Sequence, residues 1–372
     1  MVDARLSRVV VACLLAGFLG TGAAWAQGGP ANQYSGLATI HIPYANGPIR
    51  VEHVPQIRLK LKGAAPRRFG MDTGSTGIVV AADHYEPGPG DTNDGPGQLT
   101  YSSSGRVLHG THYTTDVDIL NNDDTPAATA RVQVLRVERI ACLRNARNCQ
   151  PNEHPRGTAF MGIGFDRRGA QGGNQGVEAP RNPFVNLTSL ASGASTSSIR
   201  PGYIVTRTGI HLGMTPELTR TFAFVKLSSK NTNSIGGLPQ WNAAPLTVSV
   251  DGQLGSGTSL PDTGINYMFL SPPTGTSLTR GERVPEGANI QIWLPGQDAR
   301  AAAFYQFTVG DRANPLQPQR VEVVRDAGVF VNTGRMFFEG FDYLYDAVGG
   351  YVGYGWNGRV NGSYGKVTPT AR

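Results

Sequence analysis

Apolar and polar residues alternate with a period of two in short stretches along most of the chain. Ile57-Arg58-Leu59-Lys60-Leu61, Val132-Gln133-Val134 and Leu246-Thr247-Val248-Ser249-Val250 each place apolar side chains on one face and polar ones on the other, the pattern of half-buried strands. Ala38-Thr39-Ile40-His41-Ile42 reads the same way. Between such stretches stand clusters such as Pro87-Gly88-Pro89-Gly90-Asp91 and Asn121-Asn122-Asp123-Asp124, whose residues supply the dihedral angles that a chain reversal needs. Helix signals are few. The best is Asn182, an N-cap followed by Pro183 at the first helical position and then by Phe184, Val185 and Leu187. Residues 189–202, rich in Ser, Ala and Gly, read as a loop. The pattern predicts an all-β protein.

One apolar run is of a different kind. Residues 9–19 follow Arg5 and Arg8 and lead to Ala24-Trp25-Ala26, so residues 1–26 read as a secretory signal with cleavage near Ala26. Val10-Val11-Ala12-Cys13 has the letters of a lipoprotein site, but the apolar run continues past Cys13 instead of ending there. No later stretch is apolar enough to cross a bilayer, which predicts a secreted or periplasmic chain without a membrane span. Removal of the signal leaves Cys142 and Cys149, and export favours their joining in a small-loop disulfide; two free thiols are the alternative.

The roughly 350 residues that follow exceed one ordinary core and predict two lobes, 27–205 and 206–372. Gly 49 and Pro 25, with many Val, Thr and Tyr, suit a turn-rich β protein better than a helical one. The net charge of +6 is scattered and forms no basic stripe, so nucleic-acid binding is not indicated. Neither His-Glu-x-x-His nor Gly-x-Ser-x-Gly occurs, and no metal or cofactor is implied.

Chemistry enters with a tripeptide found once in each half, in Met71-Asp72-Thr73-Gly74-Ser75 and Pro261-Asp262-Thr263-Gly264-Ile265. Two carboxylates a few ångströms apart cannot both ionise, so one keeps a proton while the other accepts one. Such a pair can take a proton from water as it attacks an amide carbon and give one to the carbonyl oxygen. Glycine after each Asp-Thr permits a tight turn, and threonine can bond across to the other loop.

The surroundings of both tripeptides resemble the pepsin-like aspartic proteases. Gly63 to Phe69 is similar to that family's approach to its first Asp-Thr-Gly-Ser, and Leu99-Thr100-Tyr101-Ser102-Ser103-Ser104-Gly105 to its flap hairpin, with Tyr101 as the flap tyrosine. Phe160-Met161-Gly162 looks like the segment that supports the first catalytic loop. Val250-Asp251-Gly252, Gly334-Arg335-Met336-Phe337-Phe338, Tyr345-Asp346 and Tyr351-Val352-Gly353-Tyr354 carry the likeness through the second half.

The resemblance implies a bilobal fold of two mostly antiparallel β lobes with a cleft between them. It implies a monomeric aspartic endopeptidase with Asp72 and Asp262 as its catalytic pair and an extended polypeptide as substrate. Tyr101, Gly74, Ser75 and Gly264 would line the substrate, with Ser75 bonding Asp72 from outside. Residues 27–71 leave little room for an inhibitory prosegment. There are three departures from the pattern. Ile265 stands where Ser or Thr would bond the second aspartate. Asn332-Thr333 is polar where the second supporting segment is apolar, and Arg335 stands where an acid is usual. Val79 stands where a tryptophan would meet Tyr101. Ile265, Val79 and Asn332-Thr333 favour the alternative, a catalytically inactive relative that binds a protein or polysaccharide in its cleft; retention of both aspartates favours the enzyme.

Overall fold

The computed structural model describes residues 29–144, 146, 149–166, 179–230, 237–297, 301–324 and 328–368. The signal read at residues 1–26 lies outside the described residues. The alternating stretches named above form strands, although in residues 38–42 the strand begins only at Ile40. Residues 57–61 fall in Gln56–Leu61, where buried and half-buried positions alternate; residues 132–134 fall in Pro126–Cys142 and 246–250 in Ala244–Val250. The last of these ends in a two-residue turn, Asp251-Gly252, in which both residues have positive φ, as the twist of a tight hairpin demands. Asn182 does cap a helical turn, accepting from Phe184 N, but the turn is a 3-10 segment, Pro183–Val185. Leu187 already opens the strand Leu187–Leu190, which pairs with the strand Pro126–Cys142, so tertiary pairing ends the expected helix.

Among the described residues the strands form three sheets. Eight from the N-terminal half make the first, eight from the C-terminal half the second, and six drawn from both halves the third, giving a bilobal all-β fold with mostly antiparallel pairing. The six-stranded sheet runs Ile40–Pro43, Gly209–Leu212, Gly202–Val205, Phe341–Asp346, Tyr351–Trp356, Phe222–Lys226, and so takes strands from both sides of residue 205. Tyr203 of this sheet donates its hydroxyl to Ile163 O at the edge of the N-terminal lobe, 2.6 Å away. Phe341 stacks on Phe337 at 4.5 Å and meets Tyr305 of the C-terminal lobe. Among the described residues no helix is long and apolar enough to cross a membrane.

Each lobe contains the same device. In the N-terminal lobe the chain leaves Arg67–Asp72, turns through Asp-Thr-Gly and returns along Thr76–Ala81; Ala159–Ile163 fills the gap between those strands, parallel to the first and antiparallel to the second. In the C-terminal lobe Val329–Asn332 sits likewise between Gln253–Leu260 and Met268–Ser271. The inserted strand satisfies the backbone donors and acceptors that the open loop would leave bare. Its passage is close. A Cβ on Gly162 would lie 2.5 Å from both Ser75 C and Thr76 N, and one on Gly334 would lie 2.3 Å from Tyr267 O.

An added carbon at either glycine would meet backbone atoms, with no flexible side chain to yield. Gly162→Ala is therefore expected to lower stability by roughly 1–3 kcal/mol, read from the urea midpoint. Gly252→Ala, where φ is +86° and no atom lies within 4 Å of the added carbon, serves as the comparison. It should cost only about 1 kcal/mol. Equal losses would show that the loop crossing is not tight.

Candidate active site

The two Asp-Thr-Gly turns meet across the lobes through their threonines. Thr263 Oγ1 accepts from Thr73 N at 3.0 Å and donates to Met71 O at 2.9 Å. Thr73 Oγ1 accepts from Thr263 N at 2.9 Å and donates to Pro261 O at 2.7 Å. Both side chains are buried. Each hydroxyl thus serves as donor and acceptor at once, and each turn's main chain is held by the opposite turn's side chain.

This grip sets the carboxylates side by side. Asp72 Oδ1 accepts from Gly74 N and Asp262 Oδ1 from Gly264 N, both at 2.7 Å. A Cβ on Gly264 would lie 2.5 Å from Asp72 Oδ1 and 3.0 Å from Asp262 Oδ1, so both inner oxygens border one small space. A Cβ on Gly74 would fall 2.4 Å from Asp262 Oδ2. Only glycine fits at either place. The two aspartates are 7% and 5% exposed, too little for water to screen their repulsion. Burial first, and the neighbouring Asp72 charge second, hold the Asp262 carboxyl above the usual carboxylate range, against the lowering effect of the bonds from Asn332 and Gly264. The pair is therefore built to hold one proton between two carboxyls.

The outer oxygens are held differently. Ser75 Oγ donates to Asp72 Oδ2 at 2.7 Å, as the resemblance implied. Ile265 cannot do the same for Asp262; Asn332 Nδ2 does, at 2.5 Å from Oδ2. Two departures counted separately in the sequence are thus one exchange, with the polar residue of the inserted strand supplying the donor lost from the loop. The expectation that Asp262 lacks an outer donor is corrected. Arg335 also has a use: buried, it donates from Nη1 to Thr263 O and from Nη2 to Val51 O, both at 2.9 Å, and so ties the second turn to the N-terminal lobe. Its charge is attracted to Asp262, Asp72 and Glu52.

Tyr101 ends the strand Thr92–Tyr101, whose hairpin partner Arg106–Leu120 begins directly opposite it. With Val79 in the core beneath, the Tyr101 ring leans on Phe160, centroids 6.0 Å apart. Its hydroxyl is enclosed and makes no hydrogen bond of normal geometry, although Ser75 is near enough to lower its pKa against the larger raising effects of burial and Asp72. The hairpin tip is braced from outside: Leu143 N donates to Gly105 O at 2.8 Å, and Cys142 is joined to Cys149 in a disulfide. Between the tip and the two turns lies a cleft of about 920 Å³, in which Asp72, Gly74, Ser75, Tyr101, Asp262 and Gly264 all take part. Its walls include Leu99, Phe160, Ile265, Phe269 and Phe330. The structure therefore brings all six residues singled out from the sequence to one place. Phe160 and Asn332 join them in the cleft and Arg335 bonds the second turn; in the sequence Phe160 stood in the supporting segment, and Asn332 and Arg335 were visible only as departures from the pattern. Among the described residues no three His, Cys, Asp or Glu side chains are grouped to hold a metal. No protein-family model matches the chain, and no curated protein matches it.

Removing one threonine hydroxyl strands a buried donor and a buried acceptor. Thr263→Val and Thr73→Val should each lose roughly 2–4 kcal/mol in urea unfolding, and by similar amounts because their bonds correspond one for one. Unequal or negligible losses would contradict the reciprocal grip. The raised Asp262 value has its own consequence for stability. A carboxyl that holds its proton more tightly folded than unfolded contributes stability below the ordinary range of about 4, and that contribution is lost as pH rises through the raised folded value. Asp262→Asn should therefore melt above the wild type at pH 8 and show no such advantage at pH 3; parallel melting curves at both would count against it.

Proposed function

We propose that the chain is a secreted aspartic endopeptidase of the pepsin-like kind, hydrolysing peptide bonds with water activated by Asp72 and Asp262. The observation that carries the reading is the juxtaposition of the two buried carboxylates, each with its inner oxygen on a backbone N–H and its outer oxygen on a side-chain donor. Water bound between the inner oxygens would lose a proton to the ionised carboxylate as it attacks the amide carbon. The protonated carboxyl would donate to the carbonyl oxygen, and the resulting tetrahedral species would collapse with a proton passed to the leaving nitrogen. No covalent intermediate is needed.

The cleft supports an extended peptide as substrate, lying under the hairpin tip with apolar side chains against Leu99, Phe160, Phe269 and Phe330. Arg106 and Arg280 line the same cleft. The disulfide Cys142–Cys149 supports an oxidising compartment, in keeping with export. Ile265 and Asn332, which taken singly favoured a non-catalytic binder, favour catalysis when read as an exchange, since a binder has no need to preserve a donor to the second aspartate. Retention of a self-repelling pair points the same way.

Digestion of an unfolded protein between pH 3 and 8 tests the reading. Wild type should cleave, and Asp72→Asn and Asp262→Asn should each lose activity roughly a thousandfold. Absence of cleavage by the folded wild type across that range, with tight retention of a polypeptide or polysaccharide, would replace the proposal with the binding reading.

A further inference from the structure

The two lobes place the same oxygen of each aspartate against different chemistry. Register makes the correspondence explicit: Gly70 pairs with Phe160 two residues before Asp72, and Leu260 pairs with Asn332 two residues before Asp262. Phe160 and Asn332 are therefore equivalent positions, as are Ser75 and Ile265. At the first pair the donor lies on the loop and the apolar side chain on the inserted strand; at the second the two are reversed.

The reversal changes more than where the donor lies. A serine hydroxyl rotates, and can donate to a carboxylate or accept from a carboxylic acid. The amide nitrogen of Asn332 can only donate, and it cannot be turned away, because Asn332 Oδ1 accepts from Gly334 N at 3.0 Å. Flipping the amide would leave the buried Gly334 N–H without its acceptor and set a carbonyl against Asp262 Oδ2. Asp262 Oδ2 thus faces a fixed donor in every protonation state, and a proton on that oxygen would meet another N–H.

We infer that Asn332 is the positioning residue of the second carboxylate: it confines the proton of the pair to the inner oxygens on the Asp262 side, weakens the pair's hold on that proton, and forms with Ile265 one exchangeable unit. The inference rests on reading Asp72 and Asp262 as a proton-sharing pair, though not on what the pair hydrolyses. Other groups act on the same carboxyls and remain in place throughout. Asp72 repels Asp262, Arg335 attracts both, Tyr267 faces Asp262, and Tyr101 faces Asp72.

Carbon-13 NMR of the full chain, with aspartate labelled at the side-chain carboxyl, reads the titration of the pair without any substrate. In Asn332→Leu the upper apparent pKa of the pair should rise by about one to two pH units, the effect of losing a hydrogen bond to a charged group. Adding Ile265→Thr to Asn332→Leu should return it to near the wild-type value by restoring a donor from the loop. Ile265→Thr alone, which leaves Asn332 and its bonds intact, should lower it, and this variant keeps the test open should Asn332→Leu fail to fold. An upper pKa unmoved in folded Asn332→Leu, a rise that Ile265→Thr does not reverse, or no lowering in Ile265→Thr alone would each overturn the inference. If the titrations shift as stated and wild type cleaves nothing, the inference stands and the endopeptidase reading falls. If wild type cleaves and the titrations do not shift, the inference alone falls.

Discussion

Two buried carboxylates in contact repel one another, and the rest of this molecule is arranged so that they nevertheless stay together. The reciprocal threonine bonds are the means. Thr73 and Thr263 each hold the backbone of the opposite turn, so neither Asp-Thr-Gly loop can relax without breaking the other's hydrogen bonds. The inserted strands then close each loop from below, and the six-stranded sheet together with Arg335 fixes the two lobes at the spacing that the threonine bonds require. Sharing a proton would relieve the repulsion of like charges side by side, and is the condition under which one carboxyl can act as acid and its neighbour as base.

The near two-fold relation between the lobes makes the exceptions informative. At the two turns one difference between the halves is an exchange of donor positions. Losing a hydroxyl at Ile265 is matched by gaining an amide at Asn332. Above the small Val79, the ring of Phe160 reaches Tyr101 from the inserted strand. A site of this kind constrains the groups presented to each oxygen more tightly than it constrains the residue that presents them.

Much of this was legible in the sequence, and the reason is distance along the chain. Strand alternation, the cap at Asn182 and the pairing of two nearby cysteines are local relations, and each formed as read. The two tripeptides identified the aspartates because the motif carries its own glycine and threonine. What the sequence concealed acts across long separations. Asn332 reaches Asp262 over 70 positions and Arg335 reaches Val51 over 284, so each looked like a defect in its own segment. The six-stranded sheet, assembled from strands near the start, in the middle and near the end of the chain, has no local signature of its assembly. The helix expected beyond Val185 failed for the same reason: residues 187–190 pair with a strand some sixty positions earlier, and pairing outweighs a favourable cap.

The central claim is that Asp72 and Asp262 share one proton at their inner oxygens. Neutron diffraction from a deuterium-exchanged crystal grown at acid pH observes that proton directly. The account predicts a single deuteron between the two carboxyls, bound at or shared between the inner oxygens, with the Ser75 hydroxyl and the Asn332 amide both donating to the outer ones. Two fully ionised carboxylates, two separately protonated ones, or carboxyls standing beyond proton-sharing distance would contradict it.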